Sequence, residues 1–428
     1  MNDVMIYGLG LDAWITIATM FGVFAMLLFT NTKAHVAFFC AIAVLSVSGV
    51  LTIEEAFAGF DTASIITVAL LFLVIAGLRH TRALEWMVSH LMGQPRNYVF
   101  AIIRLMLPVG ILSSFMSNTG TTALFQDVIK KWAEKLGMAP SKLLIPLAYS
   151  ASLGGLLTLI GTPPNLIIAG MYGKEFGVTM NTFAPFPVAI CCLLASIVVV
   201  ILLRNLLPSR VSVEAEGVTT EVKDAEANKE IRFTGKTYLS IGIMISVLLL
   251  SACNVMSLPT CCVLAGIVMV VTKCCTSDQA AKEVDWNILM VFVGSVCIGN
   301  AIHKTGIDEM ILQWIFSCCG TDPIMVLVMI CATAAVTTEL ISDTACAAMF
   351  CPIVIQASQN LGVNPMPFMI ALMMSVSNNY ATPIATPPNT LVYATGGYKF
   401  SDFARLGLVL KLVNLIIAVT VSTLFFPM

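Results

Sequence analysis

The stretch SNTGTTALF at residues 117–125, followed by GTPPNLI at 161–167, decides the fold, because the pair returns as SDTACAAMF at 342–350 and ATPPNTL at 385–391. Forty-seven residues separate Asn118 from Asn165 and 46 separate Asp343 from Asn389, so motif and interval recur together. Upstream, HTRALE at 80–85 matches HKTGIDE at 303–309, about 224 residues later. Three matches in register mark an internal duplication. Consecutive prolines cannot supply interior helical N–H groups, so the apolar helices holding Gly161, Pro163 and Pro164, and Pro383, Pro387 and Pro388, are predicted to break there. A broken helix offers N–H groups at one new end, which suit an anion. Its carbonyls at the other end, with Asn and hydroxyl oxygens, suit Na⁺.

Around these motifs the chain is strongly apolar. Hydrophobic residues make up 58% of it and charged residues 11%, against about a quarter charged in soluble domains. That surplus has no aqueous surface to support it, so lipid is the solvent over most of the length. A net charge of −2 with no basic face excludes a nucleic-acid binder. The 14 cysteines fall mostly inside apolar runs, and adjacent pairs such as Cys191/Cys192 and Cys318/Cys319 lack the spacing of a zinc site. The four histidines are scattered.

Ten apolar runs are predicted to cross the bilayer, near 14–29, 34–50, 62–78, 143–170, 184–207, 237–252, 256–273, 286–302, 365–395 and 405–426. The first follows Asp3 and Asp12 rather than a basic region, and reads as a spanning helix rather than a cleavable signal. Runs 97–116 and 324–341 each lead to a polar tip and a second helical stretch, and read as re-entrant hairpins. With the N-terminus outside, 17 of the 22 Lys and Arg fall in inside loops. Only Lys174 and Lys304 fall outside, while Arg104, Arg204 and Lys411 lie within apolar segments towards their inside ends. This bias obeys the positive-inside rule and puts both termini outside. The hydrophilic segment 208–236 is a solvated inside linker between a first repeat, 1–207, and a second, 237–428. Five crossings per repeat, an odd number, invert the second copy relative to the first. The expected fold is therefore an all-α polytopic membrane protein built as an inverted repeat of two five-helix units, each with a re-entrant hairpin and a broken helix. That is a secondary-transporter design.

The site is expected where tips and breaks meet. Ser117, Asn118 and Thr119 form the first tip, with Thr121 and Thr122 able to bond back to the helix instead; Thr162 and Asn165 stand in the first break. Ser342, Asp343 and Thr344 form the second tip, opposite Thr386 and Asn389, and Ser377, Asn378 and Asn379 add polarity earlier in that broken helix. Polar groups this deep line a protein interior or a site. Asp343 is a cation or proton site, or else a helix cap; Glu339, one turn earlier, is placed to influence it. The sequence puts no Lys or Arg at either tip, so an anion would be met by dipoles, hydroxyls, amides and co-bound Na⁺. No ATP-binding motif is present, which leaves an ion gradient as the energy source. No grouping of nucleophile, base and orienter suggests an enzyme.

These motifs resemble the divalent anion:sodium symporter family, which includes dicarboxylate, citrate and sulfate carriers, within the ion transporter superfamily. The likeness runs from LTIEEAFAGFD at 51–61 through 141–167 to YKFSDFARLG at 398–407. It implies that Ser117, Asn118 and Thr119 contact both Na⁺ and a substrate carboxylate, and that 162–165 and 386–389 are the facing Na⁺ breaks. Asp343 departs from the family pattern, which has Asn between Ser342 and Thr344. The implied function is Na⁺-coupled symport, with H⁺ as the alternative coupling ion, of a C4-dicarboxylate across the inner (cytoplasmic) membrane. The resemblance also implies a homodimer, with a transport subdomain of about 97–170 and 324–395 moving against a fixed scaffold. Sulfate or citrate symport, sodium/proton antiport and oxyanion export are the alternatives within the superfamily. A channel is the alternative outside it.

Overall fold

Apolar runs punctuated by proline, glycine and short polar clusters fold as helices, and all regular structure among the described residues is helical. The computed structural model describes residues 10–29, 34–61, 63–81, 97–209, 235–252, 255–256, 258–284 and 286–428. The first half holds α1 (Leu11–Phe29), α2 (Ala34–Val47), the short α3 (Ile53–Phe57), α4 (Ala63–His80), α5 (Tyr98–Ser113), α6 (Asn118–Lys135), α7 (Ser141–Gly155), α8 (Pro163–Phe176) and α9 (Phe186–Leu202). The second holds α10 (Gly235–Ala252), α11 (Leu258–Val271), the short α12 (Ser277–Glu283), α13 (Trp286–Thr305), α14 (Ile307–Cys319), α15 (Pro323–Thr337), α16 (Asp343–Leu361), α17 (Pro365–Val376), α18 (Pro387–Gly396) and α19 (Phe400–Phe425). Residues 82–85 of the upstream motif and 210–234 of the linker lie outside the described residues.

The short helices α3 and α12 start alike. Thr52 and Thr276 each accept the backbone N–H three residues on, while Glu55 and Gln279 reach back to the cap's own N–H. These are reciprocal capping boxes, which satisfy two orphan donors at once.

Packing exchanges partners between the halves. Helix α5 packs on α7 and α15 on α17; α6 meets α18 and α16 meets α8; α4 lies against α11 and α13 against α2. Helices α9 and α19 pack on each other at the centre. Close approach needs glycine at the α5/α7 crossing, where a Cβ on Gly154 would stand 2.2 Å from the carbonyl oxygen of Gly110.

Among the described residues only α19, at 26 residues, is by itself long and apolar enough to cross a bilayer. This differs from the ten runs read off the sequence, and the breaks are part of the reason. Runs 143–170 and 365–395 are each two helices joined by irregular backbone, α7 to α8 and α17 to α18. The outer surface stays apolar: Phe21 is 69% exposed, Val47 89%, Leu202 72% and Val271 74%. A belt of this kind, on several helices at once, is a lipid-facing surface rather than an aqueous one.

Candidate functional site

The first tip is a tight turn between α5 and α6. Ser117 caps α6 by accepting the Gly120 N–H at 3.2 Å, which leaves Asn118 in the first turn. The Ser113 hydroxyl lies 3.0 Å from Asn118 Oδ1 and 2.7 Å from the Ala151 carbonyl, tying the turn to α7. The carboxamide of Asn118 lies flat on the α7 backbone, because Gly155 has no side chain; a Cβ there would meet Asn118 Oδ1 at 2.3 Å. Thr121 and Thr122 are fully buried and donate back to the carbonyls of Ser117 and Asn118, so they serve the helix.

The first break follows at once. Thr158 donates to the Ser114 carbonyl at 2.6 Å, and its oxygen lies 3.2 Å from both the Ile160 and Gly161 nitrogens, shaping the irregular segment after α7. Pro163 and Pro164 occupy the first helical positions of α8, where a missing N–H costs nothing. Thr162 stands at the cap position, buried, with no side-chain capping bond. Asn165 Nδ2 donates to the Thr158 carbonyl at 2.9 Å, across the break. Its Oδ1 is buried without a hydrogen-bond partner.

The second half repeats this pattern with different chemistry. Thr338 donates to the Val376 carbonyl, as Ser113 does to Ala151. Ser342 caps α16 through the Ala345 N–H at 3.3 Å, so the cap is Ser342 and not Asp343. Asp343 Oδ1 accepts the Thr344 N–H at 3.0 Å, and Thr344 Oγ1 lies 3.1 Å from Ser342 Oγ. Pro387 and Pro388 open α18, and Thr386 at its cap makes no side-chain capping bond. Asn389 Nδ2 donates to the carbonyls of Thr382 and Asn379 at 3.0 Å, and its Oδ1 is again buried and unpartnered. Both amides are oriented by their donors, since flipping either would set oxygen against carbonyl oxygen.

Polar atoms lacking a protein partner gather at the second break. They include Ser377 Oγ, Asn378 Oδ1, both side-chain atoms of Asn379, and Thr386 Oγ1. Each such buried group costs about 1–3 kcal/mol when nothing meets it. Oxygens from hydroxyls and amides predominate, which is the donor set of a hard monovalent cation, with amide and backbone N–H available to an anion.

One expectation needs correction. A cation does stand at the second tip: Lys411 Nζ lies 2.7 Å from Glu339 Oε1, and that same oxygen accepts the Ala381 N–H at 3.1 Å. Lys411 sits in the middle of α19, eleven residues from its start, and not near an end; its carbonyl also accepts from Asn378 Nδ2 at 2.8 Å. Glu339 therefore engages Lys411 and the second break rather than Asp343. Seventy-two residues separate the pair, so no local pattern announces it. The one available signal was a lysine at the centre of an apolar helix.

The halves are joined close to the site. Tyr149 of α7 donates to the Tyr380 carbonyl at 2.8 Å, Tyr398 bridges to the start of α7, and Ser196 and Asn414 are hydrogen-bonded between α9 and α19. The structure thus brings Asn118 against the first break and Glu339 with Lys411 against the second. Direct contact between Asn118 and Asp343 is not among the bonds formed.

A sequence model described as a citrate transporter matches residues 16–315 and again 247–428, which together take in nearly the whole chain. An uncharacterized transporter of Haemophilus influenzae is 27% identical over 396 residues, 88% of this chain and 84% of that one. The sodium-dependent dicarboxylate transporter SdcS of Staphylococcus aureus is 24% identical over 380 residues, 81% of this chain and 72% of that one. Among solved structures, the Alcanivorax borkumensis YdaH transporter, reported to have an unusual topology, superposes with a TM-score of 0.61 over 97% of both chains. At 13% identity that likeness concerns the fold alone, and it makes the fold an all-α, polytopic one.

Proposed function

The chain belongs to the citrate transporter family, whose members are transporters and not enzymes, and from that premise we propose that it is a sodium-coupled symporter of a small divalent anion, a C4-dicarboxylate such as succinate, malate or fumarate. The observation that carries the reading is the matched pair of orphan amide oxygens. Asn165 and Asn389 each donate across a break to a carbonyl seven residues back and leave Oδ1 buried and unmet. A Na⁺ at each break would satisfy that oxygen, with Thr162 or Thr386 and nearby carbonyls completing the shell. Asn118 and Asp343 supply the tip ligand on their respective sides. Ser117, Asn118 and Thr119, with Ser342, Thr344, Ser377, Asn378 and Thr386, would then hold the anion. Its carboxylates are met by first-turn N–H groups of α6 and α16, amides, hydroxyls and the two cations.

The exchanged packing of α6 with α18 and α16 with α8 supports an inverted repeat in which both tips are re-entrant. Segments 97–170 and 324–395 form the moving part in this reading. The Lys411–Glu339 pair and the Ser196–Asn414 bond add α9 and α19 to it. Motion of that body against the scaffold of a homodimer in the inner membrane exposes the site to each side in turn. The sodium-dependent dicarboxylate relative supports a dicarboxylate as substrate.

Purified protein reconstituted in liposomes tests this. Labelled succinate should accumulate when Na⁺ is higher outside and should not when only a proton gradient is imposed. Accumulation of sulfate with succinate excluded would move the protein to the sulfate carriers, and Na⁺-independent exchange would overturn symport.

A further inference from the structure

A cavity of about 690 Å³ opens where the first turn of α5, the turn before α7 and the segment after α9 converge. Tyr98, Lys142, Arg204, Asn205 and Ser209 supply its polar lining. Neither Lys142 nor Arg204 has an acidic partner among the described residues, unlike Lys304 with Glu55 and Lys411 with Glu339. The hydroxyl of Tyr98 is buried and has no hydrogen-bond partner. Among the described residues, two cations without an acidic partner and a phenol without a hydrogen-bond partner therefore share one hollow. A trianionic or dianionic carboxylate substrate does not explain it, since the tips and breaks lie elsewhere. The wall is held in place from both sides, because Ser141 at the start of α7 donates to the Pro208 carbonyl at 2.6 Å.

The surroundings identify the ligand class. Two residues along the chain from Tyr98 and from Arg204, Phe100 on α5 is 54% exposed and Leu202 on α9 is 72% exposed, so apolar, lipid-facing surface runs up to the segments that form the hollow. Positive charge next to an apolar wall at the inside ends of helices fits an anionic headgroup whose acyl chains continue along those walls.

We propose that this cavity binds the phosphate of an anionic phospholipid from the inner leaflet, with Arg204 and Lys142 meeting the phosphate oxygens and the Tyr98 hydroxyl donating a hydrogen bond to it. Arginine suits the role because its planar fork matches phosphate bidentately. The site requires the membrane embedding of the chain but not the identity of its transported solute. A lipid held there would fasten α5, the first arm of the first hairpin, to the end of α9.

Native mass spectrometry of detergent-purified, delipidated protein tests the proposal without any transport assay. Phosphatidylglycerol, phosphatidylcholine and inorganic phosphate are added separately. Phosphatidylglycerol should be retained, and the Lys142→Gln/Arg204→Gln variant should retain it roughly 25-fold less, from about fivefold for each cation. Lys282→Gln, which removes an exposed cation from α12, a helix packed on α4 and away from the cavity, should leave retention unchanged. Equal retention of phosphatidylcholine, undiminished retention by the double variant, or protection by inorganic phosphate equal to that by lipid would each overturn the assignment. Thermal unfolding of each variant, indistinguishable from the parent, confirms that loss of lipid is not loss of fold.

Discussion

Replacing Lys411 with methionine removes one charge from the interior and keeps most of the side chain's length. Lys411 is 8% exposed as a residue, and the paired side chains of Lys411 and Glu339 are 10% and 11% accessible. Breaking a buried pair leaves the other charge uncompensated, which costs about 3–5 kcal/mol. That loss comes from stranding Glu339, so it should be largely recovered when Glu339→Gln is added. The amide oxygen of glutamine can still accept the Ala381 N–H that Glu339 Oε1 accepts now. Because Glu339→Gln alone strands Lys411 in turn, the double-mutant cycle should therefore yield a coupling of at least about 2–3 kcal/mol, at or above the upper end for residues in contact. Reversible unfolding in mixed micelles, followed by far-ultraviolet circular dichroism, measures all four proteins. Lys304→Met is the control, because its partner Glu55 is held in solvent with side chains 46% and 40% accessible, and it should leave stability unchanged. The stranded carboxylate should also draw in a cation, so Na⁺ should stabilise Lys411→Met more than the parent. If the two single effects simply add, within about 0.5 kcal/mol, the pair is not an energetic unit and the reasoning fails.

Other substitutions probe the site from different sides. Asn118→Ala and Asn389→Ala should each abolish Na⁺-dependent uptake while expression stays intact, with Asn389→Ala also lowering the unfolding midpoint because two carbonyls at the break lose their donor; normal uptake in either would remove that residue from the site. Asp343→Asn restores the amide that the family pattern carries, and should change the Na⁺ or pH dependence of transport. An identical ion dependence would mean that the carboxylate serves only the Thr344 N–H it already accepts. Gly154→Ala drives a methyl group to 2.2 Å from the Gly110 carbonyl and should destabilise the fold by about 1–3 kcal/mol or more, read as a lowered unfolding midpoint. Gly173→Ala, where the nearest atom would be 3.7 Å away, is its tolerated counterpart.

Much of the local structure around these motifs could be read from the sequence because the signals are local and costly. A Ser-Asn-Thr cluster or a Thr-Pro-Pro-Asn run inside an apolar segment has few explanations, and a second copy at the same interval removes most of them. Both breaks fall where the prolines put them, at the first positions of α8 and α18. Capping by Ser117 and the return bonds of Thr121 and Thr122 also follow from short-range chemistry, whereas in the second half the cap is Ser342 and not Asp343. What stayed hidden depends on long-range packing. Lys411 meets Glu339 through a helix that begins well after both motifs have ended, and Tyr149 reaches Tyr380 from the other half of the chain.

The central claim is that each half places one amide oxygen at its break to receive a sodium ion. Equilibrium binding of ²²Na⁺ to purified protein without substrate measures this most directly. Saturable binding should weaken by at least about tenfold, a loss of roughly 1.4 kcal/mol, in Asn165→Ala and in Asn389→Ala, and should vanish in the combined variant while the fold survives. Undiminished ²²Na⁺ binding in the combined variant would contradict the account.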